Sequence, residues 1–268
     1  MTVPEISARS FALLLLLLAV ASIVAFAFQR SLIYYPEPAD LNTLLPHAAR
    51  KGFLPWTDPQ ARFIGWRSHG LAEPPLLMLH GNAGHALYRS QFVERIREAG
   101  VTAPVFILEY PGYGARPGKP SESTLVAAAI EAIDLIDQRL VLVGESLGTG
   151  VACEAAVQRP DKILGLLLIT PFDSLVTVAK WHYPWAPAGL VLRDRYDSAT
   201  ALQKMRTPVS VIVAEQDAVV PPNSGISLFG AYSGPKRLWR VAGCGHNQVL
   251  HGLSDLELRA ACAFAGVR

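Results

Sequence analysis

The chain has 268 residues, a net charge of +2 and 17% charged side chains. This length is sufficient for one α/β domain with a full core. The charges form neither a basic stripe nor an acidic tail, which excludes the usual kind of nucleic-acid-binding surface. The three cysteines, at 153, 244 and 262, are too few for a disulfide framework, although an oxidising compartment would allow one bridge and one free thiol. No ligand spacing indicates a metal site, and no motif indicates a cofactor.

The N-terminal region contains one long apolar segment. Phe11 to Phe28 carries no charge, and these eighteen residues would reach ~27 Å as a helix, close to the ~30 Å core of a bilayer. Arg9 and Arg30 flank the segment, and Tyr34-Tyr35 follow at interfacial depth. Residues 1–30 are therefore predicted to be a membrane anchor. The alternative is a signal peptide cleaved at Ala25-Phe26-Ala27, which would make the protein secreted or periplasmic. The length of the apolar run favours the anchor, but the balanced flanking charges do not indicate its orientation.

Residues 31–60 are proline-bearing and are predicted to be a linker, and residues 61–268 are predicted to form a single domain. The apolar runs there are continuous, which is typical of parallel strands buried on both faces. Helical patterns separate them, so the chain predicts a doubly wound, mostly parallel α/β sheet. The predicted strands are Phe63 to Trp66, Pro75 to Leu79, Val105 to Glu109, Leu140 to Val143, Ile163 to Ile169, Val209 to Ala214 and Arg237 to Val241. The predicted helices are Ala86 to Ala99, Ser123 to Gln138, Thr149 to Gln158 and Leu256 to Phe264.

A Gly-x-Ser-x-Gly pentapeptide, Gly144 to Gly148, stands between a predicted strand and a predicted helix. This is the pattern of a nucleophile elbow, the sharp turn that raises a serine above a sheet. The bend forces the serine into a strained backbone conformation, and glycine at 144 and 148 removes Cβ atoms that would collide there. The pattern predicts Ser146 as a nucleophile.

A serine hydroxyl needs a base to take its proton, and the base needs an acid to fix its tautomer. In a strand–elbow–helix fold of this kind, the expected chain order is serine, acid, histidine. Asp217 and His246 each follow one of the last two predicted strands, so Ser146, Asp217 and His246 have that order. Glu215 and Asp173 remain alternative acids. Among the other histidines, His80, His182 and His251 are expected to have structural or surface roles.

The tetrahedral intermediate of acyl transfer needs two preorganised hydrogen-bond donors. One is expected to be the backbone N–H of Leu147, which directly follows the nucleophile at a helix N-terminus. The other is expected to be the backbone N–H of Asn82, in the loop that follows the Pro75 to Leu79 strand. This loop, His80 to Gly84, lacks the glycine spacing and the lysine of a phosphate-binding loop.

These motifs together resemble the α/β-hydrolases, and specifically the membrane-anchored Bem46-like and ABHD13-like α/β-hydrolase-domain family. The segments that carry the resemblance are Leu32 to Pro36, His80 to Gly84, Tyr110 to Gly114, Pro120 to Glu122, Gly144 to Gly148, Thr170 to Ser174, Asp217 to Pro221 and Gly245 to Asn247. The resemblance implies a serine hydrolase and implies the triad Ser146, Asp217 and His246. Glu109 is a departure, since related proteins often have Asp there. Many members have no settled substrate, so the resemblance names none.

About forty residues separate the strands that end at Ile169 and begin at Val209, where this fold usually carries a lid. Trp181 to Pro187 and Ala188 to Leu192 are aromatic and apolar, which favours core packing over an acyl-binding wall at the mouth of the site. Three functions remain open. They are an ester or thioester hydrolase acting on small-molecule or acyl substrates, a peptidase of the same fold, and a catalytically silent, membrane-tethered binding module.

Overall fold

The computed structural model describes residues 13, 26, 28–71 and 74–267. The strands are β1 (Tyr35–Pro36), β2 (Phe53–Thr57), β3 (Phe63–Ser68), β4 (Leu76–Leu79), β5 (Ala83–Gly84), β6 (Val105–Leu108), β7 (Leu140–Glu145), β8 (Ile163–Ile169), β9 (Val209–Ala214) and β10 (Lys236–Val241). The helices are α1 (Leu41–Arg50), α2 (Ser90–Glu98), α3 (Glu122–Leu135), α4 (Leu147–Gln158), α5 (Leu175–His182), α6 (Ala188–Val191), α7 (Ser198–Gln203), α8 (Pro222–Ala231) and α9 (Asp255–Phe264). Residues 28–33 are also helical.

Eight strands form one sheet in the order β10-β9-β8-β7-β4-β6-β3-β2. Neighbours from β10 to β6 pair in parallel, whereas β3 is antiparallel to both β6 and β2. Side chains from β4, β7 and β8 are almost fully buried on both faces, as their continuous apolar sequences predict. The predicted α/β-hydrolase fold with a mostly parallel sheet is therefore confirmed. The chain order reverses around β4, so the crevice of this sheet opens at the carboxyl ends of β4 and β7.

The predicted linker over residues 31–60 differs from the structure, because this region is folded. Strand β2 is one of the two edge strands of the sheet, and α1 packs its buried Leu44 and Ala48 toward the core. The prolines made the region resemble a linker. An edge strand nevertheless tolerates Pro55, because one side of the strand has no neighbouring strand to which a backbone N–H would have to donate. Pro46 lies inside α1. These elements extend the domain toward the N-terminus.

Most of the apolar segment from 11 to 28 lies outside the described residues, and with it most of the anchor predicted over residues 1–30. Within the part of the chain that the structure describes, no helix combines the length and the apolar character needed to cross a membrane. The membrane anchor therefore stays a prediction.

The lid between β8 and β9 contains the short helices α5, α6 and α7. The aromatic residues of its segment 181–187 do not pack into the core: Trp181 is 50% exposed, Tyr183 52% and Trp185 82%, and Leu190, in α6, is 89% exposed. Core packing was therefore the wrong interpretation for these side chains. Apolar composition predicts burial only on average, and a large exposed apolar cluster usually marks an interaction surface.

Candidate active site

Ser146 occupies the turn between β7 and α4 with a backbone φ of 52° and ψ of −118°. A positive φ is strained for a residue with a Cβ atom, and the surrounding contacts maintain it. The Ser146 N–H donates to the carbonyl of Ile169 at 2.9 Å, and its carbonyl accepts from the Thr149 N–H at 2.9 Å. The elbow predicted from the sequence is therefore present, with the serine at the carboxyl end of β7.

Both elbow glycines are sterically required. A Cβ atom at Gly148 would lie 2.0 Å from the carbonyl oxygen of Leu79, and one at Gly144 would lie 2.7 Å from the carbonyl oxygen of Gly148. Neither distance is compatible with a real Cβ contact, so α4 can approach β4 this closely only without a side chain at 148. That close approach brings the N-terminus of α4 beside the loop that follows β4.

His246 and Asp217 lie together beyond the ends of β10 and β9. The His246 Nδ1 lies 2.6 Å from Asp217 Oδ2, and both side chains are largely buried. The other carboxylate oxygen, Oδ1, accepts the backbone N–H groups of Val219 and Val220, each at 2.8 Å. Since a carboxylate accepts, Nδ1 carries the proton, which leaves Nε2 as the free basic nitrogen of a neutral ring.

The alternative residues have other partners. Glu215 forms an ion pair with Arg240 at 2.8 Å. Asp173 accepts the N–H of Ser174 at 2.8 Å and the hydroxyl of Ser224 at 2.5 Å. Only Asp217, among the three candidate acids, contacts the His246 ring. Among the described residues no hydrogen bond joins the Ser146 hydroxyl to that ring, a contact that often tightens only when substrate binds.

The loop after β4 lies against the elbow. A Cβ atom at Gly81 would be 3.6 Å from Ser146 Cβ, so the backbone that leads into Asn82 is adjacent to the serine. The Asn82 carbonyl accepts from the Tyr35 N–H at 2.9 Å and from the Tyr113 hydroxyl at 2.8 Å. Its side-chain amide donates to the carbonyl of Ile33 at 3.0 Å. These contacts fix the orientation of the peptide groups in the loop.

The segment after residue 30 supports this loop, and no pattern in the sequence indicates that role. Strand β1 pairs with β5, which aligns Tyr35 with Ala83 and Pro36 with Gly84. Two-residue strands have no periodicity to detect, so no pattern predicts them. The end of the N-terminal helical segment thus contacts the candidate oxyanion loop directly.

A second feature missed from the sequence is the ion pair between Arg89 and Glu145. Arg89 Nε donates to Glu145 Oε2, and both side chains are 21% exposed. A Cβ atom at Gly81 would lie 3.3 Å from Arg89 Nη2, so this guanidinium also borders the loop. The pair connects the residue just before the nucleophile to the helical turn after the loop. No spacing in the sequence links positions 89 and 145.

Beneath the loop, His80 and Glu109 form a fully buried pair with little hydrogen bonding. Burial lowers the pKa of His80 to about 3 and raises the pKa of Glu109 to about 8. The His80 ring is therefore neutral, with Nδ1 donating to the Gly81 carbonyl at 2.8 Å. The 3.8 Å between His80 Nε2 and Glu109 Oε1 is consequently not an ion pair at neutral pH. Glu109 Oε1 accepts the Ala86 N–H at 2.9 Å.

We expect Glu109→Gln to remove a pH dependence of stability. The folded state holds a proton on Glu109 up to about pH 8, whereas the unfolded chain releases it near pH 4.5. The stabilisation that protonated Glu109 gives to the folded state is therefore fully present below pH 4.5, and it is lost as the pH rises through about 8. Relative to the variant, the wild type should lose a few kcal/mol of unfolding free energy between pH 5 and 8.5, at about 1.4 kcal/mol per pKa unit.

Urea unfolding of both proteins at several pH values measures this difference directly. Taking the difference between the two proteins cancels His80, whose titration changes stability in the opposite direction below pH 6.5. A constant difference between wild type and variant over this range would contradict the assignment of a protonated Glu109.

Sequence comparisons agree with this architecture. A family model described as the α/β hydrolase fold matches residues 74–200. An uncharacterised protein of Mycobacterium tuberculosis is 35% identical over 245 residues, covering 86% of this chain and 85% of that protein. The protein Bem46 of Schizosaccharomyces pombe is 28% identical over 193 residues, covering 68% of this chain and 64% of Bem46. A lysophosphatidylserine lipase of Danio rerio is 29% identical over 231 residues, covering 76% of this chain and 59% of the lipase.

Among solved structures, the monoacylglycerol lipase of Paleococcus ferrophilus superposes with a TM-score of 0.56 at 20% identity, covering 75% of this chain and 98% of the lipase. The fold and the elbow define an α/β-hydrolase. The chain belongs to the Bem46-like family of α/β-hydrolases, as the resemblance in its motifs predicted.

Proposed function

We propose that the protein is a serine hydrolase that cleaves carboxylic ester or thioester bonds of acyl substrates through an acyl-enzyme. The observation that carries this proposal is the 2.6 Å contact of His246 Nδ1 with Asp217 Oδ2. It is supported by the elbow at the carboxyl end of β7, which holds Ser146 at a positive φ. These are the three parts of an activated nucleophile, which are a serine, a base with a free nitrogen, and an acid that sets its tautomer.

In the proposed reaction, His246 Nε2 takes the hydroxyl proton while Ser146 Oγ attacks the carbonyl carbon. The backbone N–H groups of Asn82 and Leu147 donate to the oxyanion of the tetrahedral intermediate. Its collapse breaks the bond to the alkoxide or thiolate, which leaves with the proton from His246. Water then attacks the acyl-enzyme by the same route, and the carboxylic acid is released.

Acyl substrates are favoured by two observations. The lid presents exposed aromatic and apolar side chains, which suit contact with a lipid surface, where acyl substrates occur. One relative is a lysophosphatidylserine lipase. We further propose that the N-terminal apolar segment associates the enzyme with a membrane, where such substrates occur.

A fluorophosphonate probe tests the nucleophile. We expect the full-length protein to be labelled and the Ser146→Ala variant to lose labelling completely. The oxygen of an activated serine displaces fluoride from the probe and becomes phosphonylated. Ser233→Ala, which changes an exposed serine far along the chain, is the matched control and should label like the wild type. Labelling that survives in Ser146→Ala, or its absence in the wild type, would remove the serine hydrolase proposal.

Substrate class is measured separately with p-nitrophenyl esters of graded acyl length. We expect kcat/KM to rise with chain length, since each additional buried CH₂ contributes up to ~0.8 kcal/mol. Equal values for acetyl and longer esters would contradict the acyl preference, while the labelling result would still decide the nucleophile.

A further inference from the structure

The exposed side chains Trp181, Tyr183, Trp185 and Leu190 form a lid aromatic patch whose two ends have different neighbours. The Tyr183 and Trp185 ring centroids are 6.3 Å apart. At one end, His182 Nε2 donates to the carbonyl of Val219 at 2.8 Å, and Val219 in turn donates to Asp217. That end of the patch therefore borders the loop of the candidate catalytic acid.

The other end of the patch is joined to the N-terminal helical segment, residues 28–33. Gln29 Nε2 donates to the carbonyl of Val191 at 3.2 Å, and Gln29 Oε1 accepts the N–H of Arg193 at 2.7 Å. The Arg193 guanidinium also lies 5.1 Å from the centre of the Phe26 ring. Leu190, the most exposed member of the patch, is the neighbour of Val191 in the chain.

A largely buried polar network fixes this junction. Asp194 is 3% exposed and accepts from Arg30 Nε at 2.9 Å and Arg30 Nη2 at 3.1 Å. The Tyr34 hydroxyl donates to the same carboxylate at 3.0 Å and lies 2.9 Å from the Tyr196 hydroxyl. A bidentate guanidinium–carboxylate pair with a buried acid has a defined geometry. The lid is thus held in one orientation relative to the end of the N-terminal segment.

The composition of the lid is that of a bilayer interface. Tryptophan and tyrosine concentrate where apolar rings meet headgroups, and lysine or arginine beside them contacts lipid phosphates. Lys180, Arg193 and Arg195 are exposed around the patch, and residues 175–193 include no aspartate or glutamate. Phe28 and Leu32, on the helical segment itself, are 64% and 61% exposed. Exposed apolar side chains are therefore present both on the lid and at Phe28, the last residue of the uncharged segment.

We propose that the lid aromatic patch lies in the headgroup region of the same bilayer that holds the N-terminal segment. This inference rests on the proposed membrane association, and it adds a second contact that orients the domain. The patch faces outward to lipid and is not a wall of the acyl site. The loop of Asp217 and the oxyanion loop both connect to this membrane-facing side, so the site would open toward the lipid surface.

The five tryptophans make a direct experiment available, because Trp56, Trp66 and Trp239 are at most 8% exposed and only the two lid tryptophans are accessible. The full-length protein is reconstituted in phosphatidylcholine–phosphatidylglycerol vesicles, with and without lipids brominated near the glycerol end of the acyl chain. We expect brominated lipid to quench the emission, and Trp181→Phe/Trp185→Phe to abolish that quenching. Acrylamide should quench the wild type less in vesicles than in detergent.

Two controls separate the possible failures. Co-flotation with vesicles reports membrane association by itself, so flotation without bromine quenching overturns the patch contact and leaves the anchor in place. Absence of flotation overturns both. A lid protected from acrylamide in detergent as well, together with a dimeric mass, would identify a second copy as the occupant and also overturn the proposal. Labelling by the fluorophosphonate probe is independent of all three results.

A loss-of-contact variant gives the complementary test. Trp181→Gln/Trp185→Gln/Leu190→Gln is compared with Leu71→Gln/Leu256→Gln, which changes two exposed leucines outside the lid. We expect the lid variant to hydrolyse a vesicle-embedded ester more slowly and the control to match the wild type. Equal loss in both variants would overturn the specific role of the lid.

Discussion

Alanine in place of His246 is expected to lower kcat for a p-nitrophenyl ester by ~10³ or more. Asp217 Oδ2 lies 2.6 Å from His246 Nδ1 and accepts its N–H. In the proposed mechanism, the free Nε2 then takes the hydroxyl proton of Ser146. Without the imidazole, that proton has only water to receive it, and the leaving group has no acid. KM should change far less than kcat, because the imidazole acts mainly in the transition state.

The matched control is His251→Ala, which removes an exposed histidine five residues further along the chain. It should leave kcat within a factor of about two, in line with surface substitutions elsewhere. The double variant Ser146→Ala/His246→Ala should be no slower than Ser146→Ala alone, since residues of one catalytic unit are strongly non-additive. A near-wild-type kcat for His246→Ala, or additive losses in the double variant, would remove His246 from the mechanism.

The parts of the site that could be predicted are those for which backbone geometry restricts residue type. The elbow demands small residues at 144 and 148, and a Cβ atom at either position would approach backbone within 2.7 Å. Likewise, β8 and β9 have the predicted bounds, because buried parallel strands tolerate little except apolar residues. Asp217 and His246 could be ranked above their rivals because each follows a strand whose end is well defined.

The parts that could not be predicted depend on contacts between distant positions. Strand β1 contains Pro36 and helix α1 contains Pro46 in its interior, and sequence rules disfavour proline in the interior of either element. These two elements could therefore not be predicted. Trp181 and Trp185 are exposed, although their apolar side chains favoured burial. The type of a residue does not by itself determine whether its side chain faces the core or the solvent. The Arg89–Glu145 pair spans 56 positions and no periodicity signals it. A single sequence predicts features that depend on neighbouring residues. It does not predict contacts between distant residues, such as the Arg89–Glu145 pair, that support the candidate site.

Replacement of Gly148, the second elbow glycine, by alanine is expected to have a large effect on stability. Gly148→Ala should destabilise the protein by ~3 kcal/mol or more, at the upper end of the cost of overpacking a core. The new Cβ atom would lie 2.0 Å from Leu79 O and 2.7 Å from His80 O. Both are backbone atoms of β4 and the candidate oxyanion loop, so no side chain can rotate away. Alanine gains up to ~1 kcal/mol of helix propensity over glycine, which is too little to offset the clash.

Gly230→Ala is the control that separates this clash from a general effect of alanine. Gly230 also lies in a helix, α8, but a Cβ atom there would meet nothing within 4 Å. The same substitution should therefore stabilise the protein by about 0.4–1 kcal/mol through helix propensity and the loss of unfolded-state freedom. Urea unfolding measures both variants, and residual esterase activity reports whether the loop of Asn82 has moved. Equal stability of the two variants would mean that α4 does not press against β4, and the geometry assigned to the Ser146 turn would then be wrong.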